Sequence, residues 1–372
     1  MRIRIVALMG ALLLVVAACG DDAGGERQEL SYLLEPGTSL SYATELGIDL
    51  EIEVDVPPDL LGDLGAGDLG EGLDLSQPIV IDLVIGLDMD LDVAEEESEG
   101  LREVTAALLP TSMVGIFDVG GEVMEFDLAV VDGELTGTVT TNGVTEQVDG
   151  GEGLPDDFGF DPSTLGEPAI AVFVLDADGA VVDVRTEDDS MNVGDLTSLT
   201  EITANTLFVP ITGPDFPDEA VGVGSDWDTD VTVGEGVLTL ERQTSYAIAA
   251  SEERQGREAL RIEGEGIMSG LELDLEDIVE LLTELIPPDP EAEIDPAQTL
   301  ALLQAFGVQV RFELLPTEEV STLWYDAADG VVVEMASTIT ISFEAEVTGV
   351  PEMGDVSVAV EGAVSQDLVL DE

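Results

Sequence analysis

The side chains of this chain that could do chemistry are almost all carboxylates. Its 372 residues include 82 Asp and Glu, ten Arg and one Cys, with no His and no Lys. Without His or Lys there is no base for a serine or cysteine nucleophile, no Schiff-base amine, no phosphate-loop lysine and no His-ligated zinc. Two carboxylates suffice for glycoside hydrolysis, but a chain this acidic supplies such pairs everywhere. The sequence therefore predicts a protein that is not an enzyme and that uses no cofactor.

Two Asp-rich segments carry the oxygen ligands that Ca²⁺ prefers. They are Asp176-Ala177-Asp178-Gly179 and Asp326-Ala327-Ala328-Asp329-Gly330. Neither has the full ligand pattern of an EF-hand loop, and Asp-Gly between apolar runs is typical of a β-hairpin turn. We interpret both segments as hairpin turns and assign no metal ligand, while a calcium-dependent binding module stays an alternative.

The only cysteine, Cys19, ends a segment with the order of a secretion signal. Arg2 and Arg4 form a short basic segment near the start of the sequence. The apolar run over residues 5–18 that follows is too short to span a bilayer. Small residues, Val16-Ala17-Ala18, come directly before the cysteine. This order predicts a signal peptide over residues 1–18.

This segment resembles the lipobox of bacterial lipoproteins. The resemblance implies cleavage before Cys19, a diacylglycerol on its sulfur and a further acyl chain on the new amino terminus. Each buried CH₂ contributes about 0.8 kcal/mol, and two or more chains give stable anchoring. The resemblance also implies an extracytoplasmic protein, lipid-anchored to the bacterial cell membrane or outer membrane. The polar, Gly-rich residues 19–29 would be a flexible acidic tether.

The net charge of −72 excludes two classes of partner. Nucleic acid binding depends on cationic contacts, and so does polybasic docking on anionic lipid. High charge also destabilises the compact state by self-repulsion, which salt screens over a Debye length of about 8 Å at physiological ionic strength. We interpret the acidity as adaptation to a salty exterior, with divalent-cation binding and lineage bias as alternatives.

The elements that would position any site are mainly strands. Alternation of apolar and polar residues predicts strands within residues 46–56, 79–93, 331–347 and 356–370. They are longer than the usual five or six residues, and the first two have one apolar and one acidic face. This pattern predicts a mainly β, α+β fold of curved antiparallel sheets. Residues 57–78, rich in Gly, Asp and Leu, are interpreted as a mobile excursion or a flap over a cavity.

Helical spacing occurs mainly in the second half of the chain. Residues 274–286 have apolar residues at helical spacing and stop at Pro287-Pro288. Residues 295–306 begin with Asp295 as the N-cap and a proline in the first turn. Together they predict a helical pair over residues 274–306 that covers the sheet, and residues 195–207 are a weaker candidate.

Three landmarks recur in the same order and predict an internal repeat. They are a Gly turn followed by an aromatic residue (36–42 and 222–227), an acidic hairpin (95–102 and 251–257) and an Asp-Gly hairpin (173–182 and 324–333). The repeat divides the chain into an N-terminal β-rich half over residues 30–207, a Pro-rich junction over residues 208–221 and a C-terminal β-rich half over residues 222–372.

Two of these segments resemble known lipoprotein families. The run from Phe216 to Trp227 contains the pattern P-x-x-x-V-x-x-G-x-x-W, similar to a turn in DUF6263-type bacterial envelope lipoproteins. The Tyr325-Asp326 hairpin beside Trp324 resembles LolA and LppX/LprG-like lipoprotein carriers. These resemblances imply a curved antiparallel sheet closed by helices over an apolar cavity. From the residues alone, we interpret both tryptophans as core anchors.

The first hypothesis is therefore a surface-anchored, non-enzymatic envelope lipoprotein that binds a lipid or other hydrophobic ligand between sheet and helices. The alternatives are a structural or protein-interaction lipoprotein without a small ligand, and the calcium-dependent module. The expected partners are the membrane, through Cys19, and the hydrophobic ligand. No catalytic, cofactor-binding or metal-binding residue is assigned, and the sequence indicates no particular protein partner.

Overall fold

The structure is a computed structural model, and it describes most of the strand-forming chain. The described residues are 27–30, 34–57, 77–94, 101–131, 134–149, 168–175, 181–186, 216–217, 219–233, 239–279, 303, 305, 307–350 and 354–371. Within these ranges, sixteen strands belong to one antiparallel sheet. The strands are β1 (Ser39–Asp55), β2 (Ile79–Val93), β3 (Arg102–Val119), β4 (Glu122–Val131), β5 (Glu134–Thr141), β6 (Val144–Asp149), β7 (Ala169–Leu175), β8 (Val181–Thr186), β9 (Asp226–Val233), β10 (Leu240–Arg254), β11 (Arg257–Met268), β12 (Leu271–Asp274), β13 (Gln309–Leu314), β14 (Thr317–Asp326), β15 (Val331–Val350) and β16 (Gly354–Asp371).

The sheet joins the two ends of the described chain. Its main path runs β6-β5-β4-β3-β2-β1-β16-β15-β14-β11-β10-β9. In the middle of this path β1 pairs with β2 on one side and with β16 on the other. The mainly β, antiparallel fold class is therefore confirmed, and the pairing of β1 with β16 joins the strands of the two parts of the chain into one continuous sheet.

Two long strands each pair with two shorter ones along a single edge. Strand β3 pairs with β7 through residues 102–108 and with β4 through residues 112–119. Strand β15 pairs likewise with β14 and then with β13. Pro110 lies where β3 changes partner, and the register against β2 shifts there by one residue. A proline has no N–H for the ladder and is found in strands at edges or bulges, so its position fits the change of partner.

The alternation that predicted the strands is observed in the burial of their side chains. In β1, Tyr42 is fully buried and Ile48 is half-buried, while Glu45 and Asp49 on the opposite face are exposed. We call the face that carries Tyr42 the inner face and the opposite face the outer face. The strands predicted within β1, β2, β15 and β16 are all confirmed.

The main core lies at one end of the inner face and draws on both parts of the chain. Its fully buried side chains include Tyr42, Leu91, Phe173, Ile262, Tyr325 and Leu368. The Tyr42 hydroxyl donates a hydrogen bond of 3.1 Å to the carbonyl of Val332. A second core cluster lies where β3 to β6 pack, around Phe126 and Leu128.

Residues near the predicted tether also contact the body. Gln28 and Val221 exchange both backbone hydrogen bonds, at 2.9 and 2.8 Å. Leu30 and Leu34 are buried in the main core. Gln28, at the end of the predicted tether, is therefore held against the body.

Tight turns join the strands where the sequence allows positive φ angles. Gln255 and Gly256, with φ of 48° and 73°, join β10 to β11, which confirms the acidic hairpin over residues 251–257. Both central residues of a type I′ turn need positive φ, so a glycine at the second position limits the strain. The other predicted acidic hairpin lies mostly outside the described residues.

Helices form very little of the described chain, less than an α+β fold implies, and the described helical residues lie in the second half, within the predicted pair. The only consecutive helical residues among them are 275–279. Asp274 caps this helix: its Oδ1 accepts the N–H groups of Glu276 and Asp277 at 2.7 and 3.1 Å, while Asp277 Oδ2 accepts the Asp274 N–H. This reciprocal pattern is a capping box, and it confirms the predicted start. The remainder of the helical pair, apart from helical residues 303 and 305, and residues 195–207 lie outside the described residues.

The strand pairing can be compared with the predicted repeat. The strand after each acidic hairpin pairs with the strand before each Asp-Gly hairpin, as β3 with β7 and β11 with β14. A duplicated unit would produce this arrangement. The repeat, the junction and the domain boundaries stay predictions.

Candidate functional site

The inner face continues beyond the main core as an apolar surface. The register places Ile48 between Leu83 and Val364, and Ile52 between Ile79 and Val360. Apart from Val360, these side chains are half-buried, unlike those of the core. We define the apolar surface by the half-buried inner-face residues Leu46, Ile48, Leu50, Ile52, Ile81, Leu83, Ile85, Phe312, Leu314, Ile341, Phe343, Val358 and Val364.

The apolar surface extends across five strands because their registers match. Phe312 of β13 lies opposite Ala345, and Leu314 lies opposite Phe343. The rings of Phe312 and Phe343 are 5.4 Å apart between centroids. Partly exposed apolar area of this extent favours contact with another apolar molecule or segment.

The outer face behind this surface has a different chemistry. Carboxylates lie directly opposite one another in neighbouring strands, as Asp49 to Asp82 and Glu51 to Glu361. Like charges in such pairs destabilise a sheet. Among the described residues, no group of three or more Asp, Glu, His or Cys is placed to hold a metal ion. The outer face is therefore exposed to solvent, and its carboxylates repel one another.

The second Asp-rich segment forms the turn between β14 and β15. Asp326 Oδ1 accepts the backbone N–H groups of Ala328 and Asp329, at 2.9 and 3.3 Å. Arg257 Nη1 donates to Asp326 Oδ2 at 3.1 Å and to Asp329 Oδ2 at 2.5 Å. The carboxylates that could face a cation thus bind the turn backbone and an arginine, which confirms the hairpin here. The segment over residues 176–179 lies outside the described residues.

The two tryptophans lie on opposite faces. Trp227 stacks on Tyr246 with ring centroids 5.3 Å apart and packs against the main core, half-buried. Trp324 is 9% exposed and clusters with buried Ala259 and Val333. Both therefore contribute to packing, as the sequence predicted.

Trp324 also contacts two charged side chains on the outer face. Its Nε1–H donates to Glu252 Oε1 at 2.5 Å, and the Arg254 guanidinium lies 4.4 Å from its ring centroid. The hydrogen bond from Trp324 is the main cause that lowers the pKa of the Glu252 carboxyl. These contacts fix the end of the β10–β11 hairpin on the sheet.

One polar group on the inner face was not predicted from the sequence. Arg242 of β10 and Glu319 of β14 form an ion pair of 2.8 Å, with side chains only 15% and 16% exposed. The sequence could have indicated its position, because Arg242 lies an even number of residues from buried Leu240 and Ile248. In a strand this spacing places all three side chains on one face. We name Arg242, Thr244, Glu319 and Ser321 the polar patch.

Several sequence-predicted features lie outside the described residues. Cys19, the signal peptide over residues 1–18 and most of the stretch over residues 57–78 are among them. In the part of the chain that is described, no helix has the length and apolar character needed to cross a membrane.

Comparisons with known proteins identify no family. No family model matches the chain, and no curated protein matches it. Among solved structures, a candidate lipoprotein from Parabacteroides distasonis aligns over 93% of this chain and 99% of its own, with 9% identity and a TM-score of 0.20. OccK5 (OpdH) from Pseudomonas aeruginosa aligns over 92% of this chain and 100% of its own, with 7% identity and a TM-score of 0.16. TM-scores this low support no conclusion about fold or function.

Proposed function

We propose that this protein is an envelope lipoprotein, anchored through Cys19, that binds an apolar ligand such as a lipid chain on its inner face. The observation that carries the ligand is the apolar surface, which continues the core along the long strands but stays half-buried. The lipid anchor rests on the signal segment of the sequence.

Covering the apolar surface can support binding without charged contacts. Covering about 200 Å² of apolar area contributes on the order of 5 kcal/mol before the entropy lost on binding is subtracted. A charged ligand would gain less, because a net charge of −72 repels anions and the surface offers few polar partners. An uncharged chain suits it best.

A non-enzymatic role is part of the proposal. The chain has no His and no Lys, and the described inner face carries mainly apolar groups together with the polar patch. Binding, transfer or presentation of a hydrophobic molecule needs no general base, so these residues suffice for it.

Native mass spectrometry tests the ligand. Every described contact lies between residues 27 and 371, so a chain of residues 20–372 keeps the described sheet intact. We expect a bound apolar adduct, recovered by organic extraction, after expression in a bacterium. A chain that stays ligand-free after incubation with total lipid extract would contradict the proposal and favour the protein-interaction alternative.

Matched variants locate the ligand. Leu50→Ser changes the half-buried inner surface, whereas Val320→Ser changes an outer-face residue that is 59% exposed. We expect adduct loss for the first variant only, with thermal melts showing that both fold. Equal adduct in both variants would place the ligand elsewhere.

The anchor is tested separately on the full chain. Mass spectrometry of the membrane-extracted protein should show a lipid-modified N-terminal peptide beginning at Cys19. Cys19→Ser should abolish the modification and leave the signal segment uncleaved. An unmodified cysteine in the membrane fraction would contradict lipidation without affecting the ligand test.

A further inference from the structure

The polar patch is built across three strands. Arg242 of β10 and Glu319 of β14 are not on neighbouring strands, because β11 runs between them. Their side chains meet over Gly266 of β11, which lies opposite both Thr244 and Glu319. A Cβ on Gly266 would lie 3.1 Å from Thr244 Oγ1 and 3.4 Å from Glu319 Oε2. The missing side chain thus leaves the room in which the polar groups converge.

A second glycine of β11 also lies beneath the polar patch. Gly264 lies between Tyr246 and Ser321, and a Cβ there would be 2.5 Å from Ser321 Oγ and 3.0 Å from the Tyr246 ring. The patch therefore combines a guanidinium, a carboxylate and two hydroxyls above two glycines, with an aromatic ring at its border.

Stability alone does not account for this ion pair. Burying two charges carries a desolvation cost, and apolar replacements of such pairs are often neutral or stabilising. Arginine is scarce here, with ten in the chain. In addition, the Arg242 Nε–H is buried and has no hydrogen-bond acceptor within the described structure. A buried donor without an acceptor adds a further desolvation cost to the pair.

The patch borders the apolar surface. Glu319 lies opposite Ile339 of β15, and Ile339 lies opposite Val364 of β16, a member of the apolar surface. A molecule whose chain follows the apolar surface would therefore bring its end to the patch.

We propose that the polar patch binds the uncharged, oxygen-bearing headgroup of an amphiphile whose chain lies on the apolar surface. This inference rests on the proposed function and adds the ligand's chemical class. Ester or hydroxyl oxygens accept from the exposed part of the Arg242 guanidinium, and headgroup hydroxyls donate to Glu319. An anionic headgroup is disfavoured by the Glu319 carboxylate and by the net charge of −72.

Three probes of equal chain length test the proposal by calorimetry, with the amphiphiles below their micelle-forming concentrations and the alkane below its solubility in water. They are a monoacylglycerol, the corresponding fatty acid and the corresponding alkane. For residues 20–372 we expect the monoacylglycerol to bind about tenfold more tightly than the alkane, the gain of one or two hydrogen bonds. The fatty acid should bind more weakly than the monoacylglycerol.

The variant replaces both charges so that neither is left buried alone. Arg242→Met with Glu319→Met should remove the preference for the monoacylglycerol and leave alkane binding unchanged. The matched control, Arg311→Met with Glu272→Met, removes an outer-face pair with side chains 54% and 65% exposed, and it should keep the preference. If the double variant does not fold, Glu319→Gln keeps the side-chain shape and should reduce the preference in part.

The outcomes separate this inference from the proposed function. Equal binding of monoacylglycerol and alkane, or a preference that survives in the double variant, would overturn the headgroup site while leaving the apolar ligand in place. Tightest binding of the fatty acid would overturn the uncharged class. No binding of any probe would overturn both proposals.

Discussion

The Tyr42 hydroxyl donates a hydrogen bond of 3.1 Å to the Val332 carbonyl, linking β1 to β15 across the intervening β16. The Tyr42 side chain is fully buried. The bond therefore joins residues 290 positions apart in the chain at the centre of the main core. Tyr42→Phe keeps the ring and removes only the donor. We expect it to lower the free energy of unfolding by about 1 kcal/mol, measured by urea denaturation, and a change near zero would show that the bond contributes nothing net.

Alkaline pH should destabilise the protein through its buried tyrosines. Burial raises the pKa of both Tyr42 and Tyr325 above the ordinary value near 10. Above that value the unfolded chain releases phenolic protons that the folded chain retains, so stability falls as pH rises. Each group contributes a slope of up to about 1.4 kcal/mol per pH unit.

The comparison of unfolding curves at neutral pH and above pH 10 checks this effect. Tyr42→Phe should show a shallower alkaline loss than the wild type, because one of the two groups is gone. Identical slopes for the two proteins would show that Tyr42 ionises equally in both states.

Salt should stabilise the fold by screening the outer face. Asp49 and Asp82 lie directly opposite each other, so Asp82→Asn should raise the free energy of unfolding by about 0.5 kcal/mol at low ionic strength. The gain should shrink in 1 M NaCl, where the Debye length is about 3 Å. Asp88→Asn is the control, because Asp88 lies opposite Ala43 and Leu109 and has no carboxylate directly across.

The turn between β14 and β15 should depend on Arg257. Arg257→Met leaves the Asp326 carboxylate, 8% exposed, without its cationic partner. We expect a loss of about 1–3 kcal/mol by urea denaturation. Arg311→Met, in a pair that is more than half exposed, should change stability by less than about 1 kcal/mol. Equal effects of the two variants would contradict a structural role for the Arg257 contacts.

Calcium should leave the described turn unchanged, because Asp326 and Asp329 already bind Arg257 and the turn backbone. The melting temperature at fixed ionic strength should be the same with EDTA and with millimolar Ca²⁺. A rise with Ca²⁺ that is lost in Asp326→Asn would revive the calcium-dependent alternative at this turn.

The sequence by itself determined the strands, several turns and the range of chemistry. Alternating side chains specify which face each residue takes, because the strand repeat is two residues, and the predicted strands in β1, β2, β15 and β16 follow from this alone. The turn after Asp326 and the helix start near Asp274 were predictable from the sequence because they depend on local backbone geometry and side-chain spacing. The absence of His and Lys also follows directly from composition.

The tertiary structure alone decided which strands became neighbours. Strands pair through backbone groups that nearly every residue shares, so alternation specifies a face but names no partner. The pairing of β1 with β16 joined the strands of both parts of the chain into one continuous sheet, which alternation could not specify. The same pairing rules placed Arg242 and Glu319, 77 residues apart, over Gly266. The polar patch could not be predicted from the sequence, because its residues come together only when β10, β11 and β14 lie side by side.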